Sequence, residues 1–139
     1  MKPHWCEQLP EYEVVAESPT RRVVVHTGLK KVQKRVEQKH AVAVLRWMQI
    51  WVRDQADAMP EERFKFQTRW KGASGEGHRI SVFKSYQARY YGYSREIAGK
   101  ETFVVAAIDP AKKDNQADPA MYKRVGDEAD RISGILKSR

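Results

Sequence analysis

The sequence has little cysteine and no long uncharged hydrophobic run, and both absences restrict what it can be. Its one cysteine, Cys6, cannot form a disulfide within the chain or supply a zinc cluster. No stretch approaches the roughly 18 apolar residues that a membrane-spanning helix needs, so we expect no membrane partner. Residues 1–5 lack the apolar core of a signal peptide. We therefore expect a cytoplasmic protein.

Patterns typical of metal sites and nucleotide-binding loops are also missing. The four histidines are scattered along the chain without ligand spacing, so we expect no metal and no cofactor. The glycine-rich segment 72–77 lacks the Gly-Lys-Ser/Thr ending of a P-loop, and no helix is predicted directly after it. The sequence therefore does not predict a nucleotide cradle.

Positive charge is what the sequence has in excess. The 139 residues include 26 Lys and Arg against 18 Asp and Glu, which gives a formal net charge of +8. Residues 63–113 hold 11 of these cations against 4 acidic residues, nearly all of the excess. A basic balance of this size favours a phosphate polymer or an acidic protein as the partner. A basic protein with no nucleic-acid role is the plain alternative.

The length of 139 residues predicts a single domain, at residues 21–139, preceded by an N-terminal extension. Residues 1–20 are rich in Pro and Glu and show no period, so we expect them to be loosely ordered or draped on the domain. Residues 21–26 form a β-branched run that predicts a strand. An apolar stripe at helical spacing predicts one long helix over residues 27–58, or two helices broken near His40.

Three strand patterns follow at residues 78–85, 87–96 and 101–108, and the short turns between them favour antiparallel neighbours. Residues 61–71 are ambiguous between a strand and a helical turn. Asp118 and Pro119 then predict the cap and first residue of a C-terminal helix. The expected fold is α+β: the N-terminal strand and the long helix or helix pair pack on a small antiparallel sheet of three to four strands. The helices, including the C-terminal one, would cover one face and leave the other face, or one end, open and basic.

Several short motifs follow one another in this basic half and the helix after it. They are Lys71-Gly72 before the sheet, Arg89-Tyr90-Tyr91 in its middle strand, and Ile108 to Lys113 leading to Asp118-Pro119. Their order and spacing resemble the RelE/HigB toxin superfamily, and most closely its phage-derived RelE-like branch, over roughly residues 23–135.

The resemblance implies a toxin of a type II toxin–antitoxin pair. Such a toxin would be a ribosome-dependent mRNA endonuclease, so its partners would be mRNA, the ribosome and a cognate antitoxin protein. Metal-free cleavage of RNA uses the 2′-hydroxyl of the substrate as the nucleophile. The protein would then align the reacting atoms, stabilise the charge on phosphorus and move protons.

Within this reading, we predict Arg89 as the clamp on the phosphate, because a guanidinium offers two parallel donors. Lys84 is predicted as a phosphate ligand or proton shuttle. Tyr91 and His78 are candidates for proton transfer, with core packing as the ordinary alternative for a tyrosine. The remaining predicted RNA contacts are made by Lys71, Arg69, Lys112, Lys113 and Tyr93.

Two other functions remain open from the sequence. One is a non-catalytic nucleic-acid-binding phage or accessory protein on the same fold. The other is a protein-interaction domain whose basic face meets an acidic partner. The sequence does identify one geometric requirement of the catalytic reading, which is that Arg89 and Lys84 converge on one accessible pocket.

Overall fold

The computed structural model describes residues 4–53, 59–71, 75–112 and 118–137. Its helices are α1 (His4–Gln8), α2 (Lys30–Gln33), α3 (Gln38–Arg53) and α4 (Pro119–Lys137), with a 3₁₀ turn at Thr27–Leu29. Its strands are β1 (Tyr12–Glu17), β2 (Arg21–His26), β3 (Phe64–Lys71), β4 (Gly77–Ser85), β5 (Ala88–Ile97) and β6 (Lys100–Asp109). None of the helices in these ranges is long and apolar enough to cross a membrane.

The strands form one six-stranded mixed sheet in the order β1-β2-β6-β5-β4-β3. β2 runs parallel to β6, and the other neighbouring pairs are antiparallel. The predicted sheet of three to four antiparallel strands was therefore wrong. Two edge strands, β1 and β3, enlarge the sheet. The parallel pairing of β2 with β6 joins segments about 80 residues apart, which no local sequence pattern reports.

Helices cover both faces of the sheet, so the prediction of one open face is also wrong. On one face α3 buries Val44, Met48 and Trp51 against the sheet. On the other face α4 buries Val125, Ala129 and Ile132. The strands between them are consequently apolar on both sides in their central part, as expected for a sheet between two helical layers.

An aromatic cluster holds α3 against the sheet. The Trp51 ring lies 6.0–6.4 Å from the rings of Phe64, Phe83 and Phe103, and Phe64 lies 4.7 Å from Phe83. Edge-on and tilted aromatic pairs of this kind contribute about 0.5–1.5 kcal/mol each beyond the area that they bury. The predicted helix is a pair, because residues 34–37 separate α2 from α3; residues 54–58 lie outside the described ranges.

The N-terminal segment is built into the domain rather than loosely ordered. β1 pairs with β2 along the edge of the sheet. Trp5, Leu9 and Tyr12 are buried in the same core as the apolar side of α4. The Tyr12 hydroxyl donates a hydrogen bond of 2.5 Å to the carboxylate of Glu128 on α4. The sequence signal was weak because the apolar residues of β1, Tyr12, Val14, Val15 and Ala16, do not alternate strictly with polar ones and lie in a segment rich in Pro and Glu.

Gly126 lies in the middle of α4, where glycine normally weakens a helix, and the structure gives its reason. A Cβ atom at this position would lie 2.3 Å from Cδ1 of Trp70, so the indole of β3 packs directly on the helix backbone. At Gly134, two turns later, an added Cβ atom would have no neighbouring atom within 4 Å. The two glycines therefore form a matched pair for testing how tightly α4 packs on β3.

We predict opposite effects of alanine at these two positions. Gly126→Ala forces Trp70 to move and lowers the free energy of unfolding by about 1–3 kcal/mol. Gly134→Ala meets no obstacle and raises it by roughly 0.5–1 kcal/mol, because alanine favours the helix. Chemical denaturation of both variants measures the difference, and equal effects would contradict the packing of Trp70 on α4.

Candidate functional site at the β4–β5 hairpin

Three charged residues form a row across the sheet at one of its ends. Lys84 on β4 pairs with Arg89 on β5, and Arg89 pairs in turn with Asp109 on β6. Directly opposite residues of antiparallel strands have their Cβ atoms about 4.5–5.5 Å apart and point to the same face. The structure therefore brings the two principal predicted phosphate ligands together, on the face that α4 covers further along the strands.

Both cations are partly withdrawn from water. Burial lowers the pKa of the Lys84 ammonium, and the neighbouring positive charge of Arg89 lowers it further. Burial also lowers the pKa of the Arg89 guanidinium, while Tyr91 and Asp109 act in the opposite direction. Like charges directly opposite in a sheet repel each other. An anion placed between Lys84 and Arg89 would relieve that repulsion and replace the lost solvation.

An exposed tyrosine occupies the turn that joins these two strands. Tyr86 is the first residue of the two-residue β4–β5 turn and has φ = +53°. The primed turns that suit such hairpins usually place Gly, Asn or Asp at this position, and a bulky residue there costs about 1–3 kcal/mol. The side chain is nevertheless 68% exposed. Strained backbone positions concentrate at binding and active sites, which makes the exposed Tyr86 ring a candidate for ligand contact.

The ring of Tyr86 and its backbone are each held by a different neighbour. The ring stacks on the imidazole of His40, with ring centroids 5.4 Å apart and an angle of 24° between the planes. His40 is held in turn by Ser85, whose hydroxyl oxygen lies 3.0 Å from Nδ1. The Arg89 guanidinium donates a hydrogen bond to the Tyr86 carbonyl and so holds the backbone of the turn. We use the name hairpin site for Lys84, Tyr86 and Arg89 together with His40.

The predicted lysine pair after β6 lies partly at this end. The backbone N–H of Lys112 donates a hydrogen bond of 2.8 Å to the carbonyl of Gln87 in the turn. Residue 112 is therefore adjacent to the hairpin site. Lys113 lies outside the described residues.

The two predicted tyrosines are core residues. Tyr91 is 1% exposed and its ring packs edge-on against Tyr122 of α4 at 6.0 Å. Tyr93 is 3% exposed. Burial raises the pKa of both phenols well above the usual value, so both stay protonated at neutral pH. Stacking of Tyr93 on a base is wrong for this geometry, and Tyr91 could only donate a proton.

His78 does not join the hairpin site. It lies six residues before Lys84 on the same strand, which corresponds to roughly 20 Å. Its Nε2 is 2.7 Å from the carboxylate of Asp130 on α4, and only 9% of the residue is exposed. The single catalytic centre that would combine His78 with Arg89 is therefore absent.

Arg69 and Lys71 also lie away from the hairpin site. Both are exposed on the edge strand β3, where they pair with Arg79 and Gly77 near the beginning of β4. Of the nine predicted site residues, three lie at the hairpin end of the sheet (Lys84, Arg89 and Lys112) and three at the other end (His78, Arg69 and Lys71). Tyr91 and Tyr93 are in the core, and Lys113 lies outside the described ranges. Tyr86 and His40 were not predicted as site residues. Of the two, Tyr86 has a local signal in the sequence, as an aromatic residue in a hairpin turn.

No family model, curated protein or solved structure matches this chain. The likeness to the RelE/HigB superfamily is consequently a resemblance of short motifs. The function of the protein has to be inferred from the geometry of its sites.

We predict that Arg89→Gln raises the pKa of Lys84 towards the usual lysine value. Removal of the adjacent positive charge makes the protonated ammonium less unfavourable, and the contribution of burial remains. Titration of the lysine side chains by NMR measures this change. Arg95→Gln, at the far end of the same strand, is the matched control and should leave Lys84 unchanged. An unaltered Lys84 pKa in Arg89→Gln would show that the two cations do not interact.

Proposed function

We propose that this protein binds single-stranded RNA at the hairpin site. The observation that carries the proposal is an exposed tyrosine ring at the tip of the hairpin whose two strands carry a pair of partly desolvated cations, Lys84 and Arg89. Proteins that bind single strands combine aromatic rings, which stack on unpaired bases, with cations that hold the phosphates. Tyr86 supplies the first group and the Lys84–Arg89 pair supplies the second.

The surroundings of the hairpin site favour an extended polyanion over a small anion. His40 connects the site to the beginning of α3, and exposed cations are frequent along the segment that precedes and begins this helix. These are Lys30, Lys31, Lys34, Arg35 and Lys39. A strand that crosses Tyr86 could continue along them, which supports a ligand of several nucleotides. An acidic protein is the competing partner for this surface. Its binding would not require the Tyr86 ring to stack on a base.

RNA binding at this site makes separate predictions for charge and for stacking. A doubly substituted Lys84→Gln, Arg89→Gln protein loses two phosphate contacts, so the slope of log affinity against log salt falls by roughly 1.4. Tyr86→Ala loses one stacked base, which weakens binding by about 5- to 150-fold and leaves the slope unchanged. Fluorescence anisotropy with a labelled 12-nucleotide RNA at several salt concentrations measures both quantities.

Lys71→Gln is the control for loss of positive charge, because Lys71 lies at the other end of the sheet. It should alter the affinity much less than the substitutions at the hairpin site. Absence of RNA binding at low salt, or an affinity that survives Tyr86→Ala, would rule out this function. Binding of acidic proteins without RNA affinity would favour the interaction-domain alternative.

The second candidate function is the ribosome-dependent mRNA endonuclease of a toxin–antitoxin pair. It is favoured by one specific observation: Lys84 has a lowered pKa and lies beside Arg89. The 2′-hydroxyl would lose its proton to water as its oxygen attacks phosphorus, and Arg89 would stabilise the negative charge on the oxygens of the phosphorane. Lys84 would give a proton to the leaving 5′-oxygen, a role that a lowered pKa assists. A cognate antitoxin would then act by covering the hairpin site.

Cleavage predicts that induced expression stops growth and truncates transcripts on translating ribosomes. Arg89→Ala, with its fold verified by circular dichroism, should abolish both effects, whereas Lys71→Gln should retain them. Primer extension on a reporter mRNA locates the cuts. Growth arrest that persists in Arg89→Ala would contradict the assignment of Arg89. Normal growth together with intact RNA binding would leave the non-catalytic function.

A further inference from the structure

A second cluster of side chains lies at the opposite end of β4 from the hairpin site. Glu76 directly precedes β4, His78 is the second residue of the strand, and Asp130 projects from α4. One carboxylate oxygen from each acid and one ring nitrogen of His78 all lie within 4.8 Å of one another. The three residues come from two elements, so the tertiary fold rather than a local motif assembles them.

The inner part of this cluster is held rigidly. Nε2 of His78 lies 2.7 Å from the carboxylate of Asp130, and the two side chains are only 9% and 16% exposed. The His78 ring also packs edge-on against Tyr93 at 5.6 Å. Glu76 is exposed at the mouth of the cavity that His78 lines. His78 and Asp130 thus offer two ligand atoms in fixed positions, and the exposed side chain of Glu76 can move to offer a third. The cavity gives solvent access to all three.

We propose that Glu76, His78 and Asp130 bind one Zn²⁺ ion, with water in the fourth position. An imidazole nitrogen with two carboxylate oxygens is a donor set that zinc accepts, and three protein ligands with one open position is a common zinc arrangement. Tetrahedral zinc at bond lengths of 2.0–2.2 Å places its donors roughly 3.4 Å apart. The His78–Asp130 contact has to open slightly from 2.7 Å, and Glu76 has to close in.

Among the described residues, four cations line the cavity beside this cluster, Arg69, Arg79, Arg95 and Lys137, and Lys137 is ion-paired with Glu76. Nζ of Lys137 lies 3.3 Å from a carboxylate oxygen of Glu76, but both side chains are largely in solvent, at 71% and 45% exposure. Exposed ion pairs contribute little to stability. A divalent ion that also binds the buried His78 and Asp130 can therefore displace the Lys137 ammonium with little loss of free energy. Bound zinc would tie the beginning of β4 to α4, and it would do so away from the hairpin site.

Titration of the purified protein with zinc tests the proposal. We expect one Zn²⁺ per chain by calorimetry and, at about 100 times the dissociation constant, a rise in the thermal midpoint of roughly 5 °C or more. Co²⁺ in place of zinc should give the visible absorption of a four-coordinate ion. Mg²⁺ at the same concentration should give no rise, because it prefers six oxygen ligands.

Variants on one helix supply the matched comparison. Asp130→Asn should weaken zinc binding by at least about 10- to 100-fold, the range found even for supporting groups of metal sites. Asp127→Asn, which removes an exposed carboxylate one turn earlier, should bind zinc as the unmodified protein does. Glu76→Gln removes an exposed zinc ligand and leaves the fold intact. It should also lose affinity for zinc, so the proposal can be tested even if Asp130→Asn does not fold. Absence of zinc binding, or equal affinity in Glu76→Gln and Asp127→Asn, would overturn the site.

Discussion

The register of β5 between its two neighbours is the constraint on which the hairpin site depends. A two-residue turn fixes β5 against β4, so Lys84 faces Arg89 and Tyr86 is left at the tip. Close packing also holds β5 against β6, because a Cβ atom added to Gly92 of β5 would lie 2.2 Å from the carbonyl oxygen of Val104 in β6. A slip of one residue would turn Arg89 to the opposite face, because alternate residues face opposite sides. The juxtaposition of the two cations is therefore a consequence of pairing geometry.

Coverage of both sheet faces explains why the candidate sites lie at strand ends. α3 and α4 bury the central residues of β4, β5 and β6, and this burial removes Tyr91 and Tyr93 from solvent. Polar groups of the central strands can meet a ligand only where the helices no longer cover them. Lys84 and Arg89 occupy one such end, whereas His78 lies at the other end of β4 against Asp130 of α4 and lines a cavity there. The two sites use one strand, β4, as a common rigid support.

Local features of the fold were predictable from the sequence, and non-local ones were not. The three strand patterns and the start of α4 at Pro119 agree closely with the structure, because periodicity and caps are local signals. The pairing of Lys84 with Arg89 across β4 and β5 was also predictable, because it follows from the short turn between the two strands. By contrast, His40 lies 46 residues from Tyr86, and His78 lies 52 residues from Asp130, so no spacing rule relates them. β1 escaped prediction because its short apolar run lacks strict alternation and lies in a segment rich in Pro and Glu.

The most direct test of the account is to locate a bound RNA on the protein. A single-stranded oligonucleotide containing 4-thiouridine can be crosslinked by ultraviolet light, and the modified peptides can be identified by mass spectrometry. The account predicts crosslinks at Tyr86 and in the neighbouring β4–β5 turn. Crosslinks confined to the β3 edge around Arg69 and Lys71, with none at the turn, would contradict it.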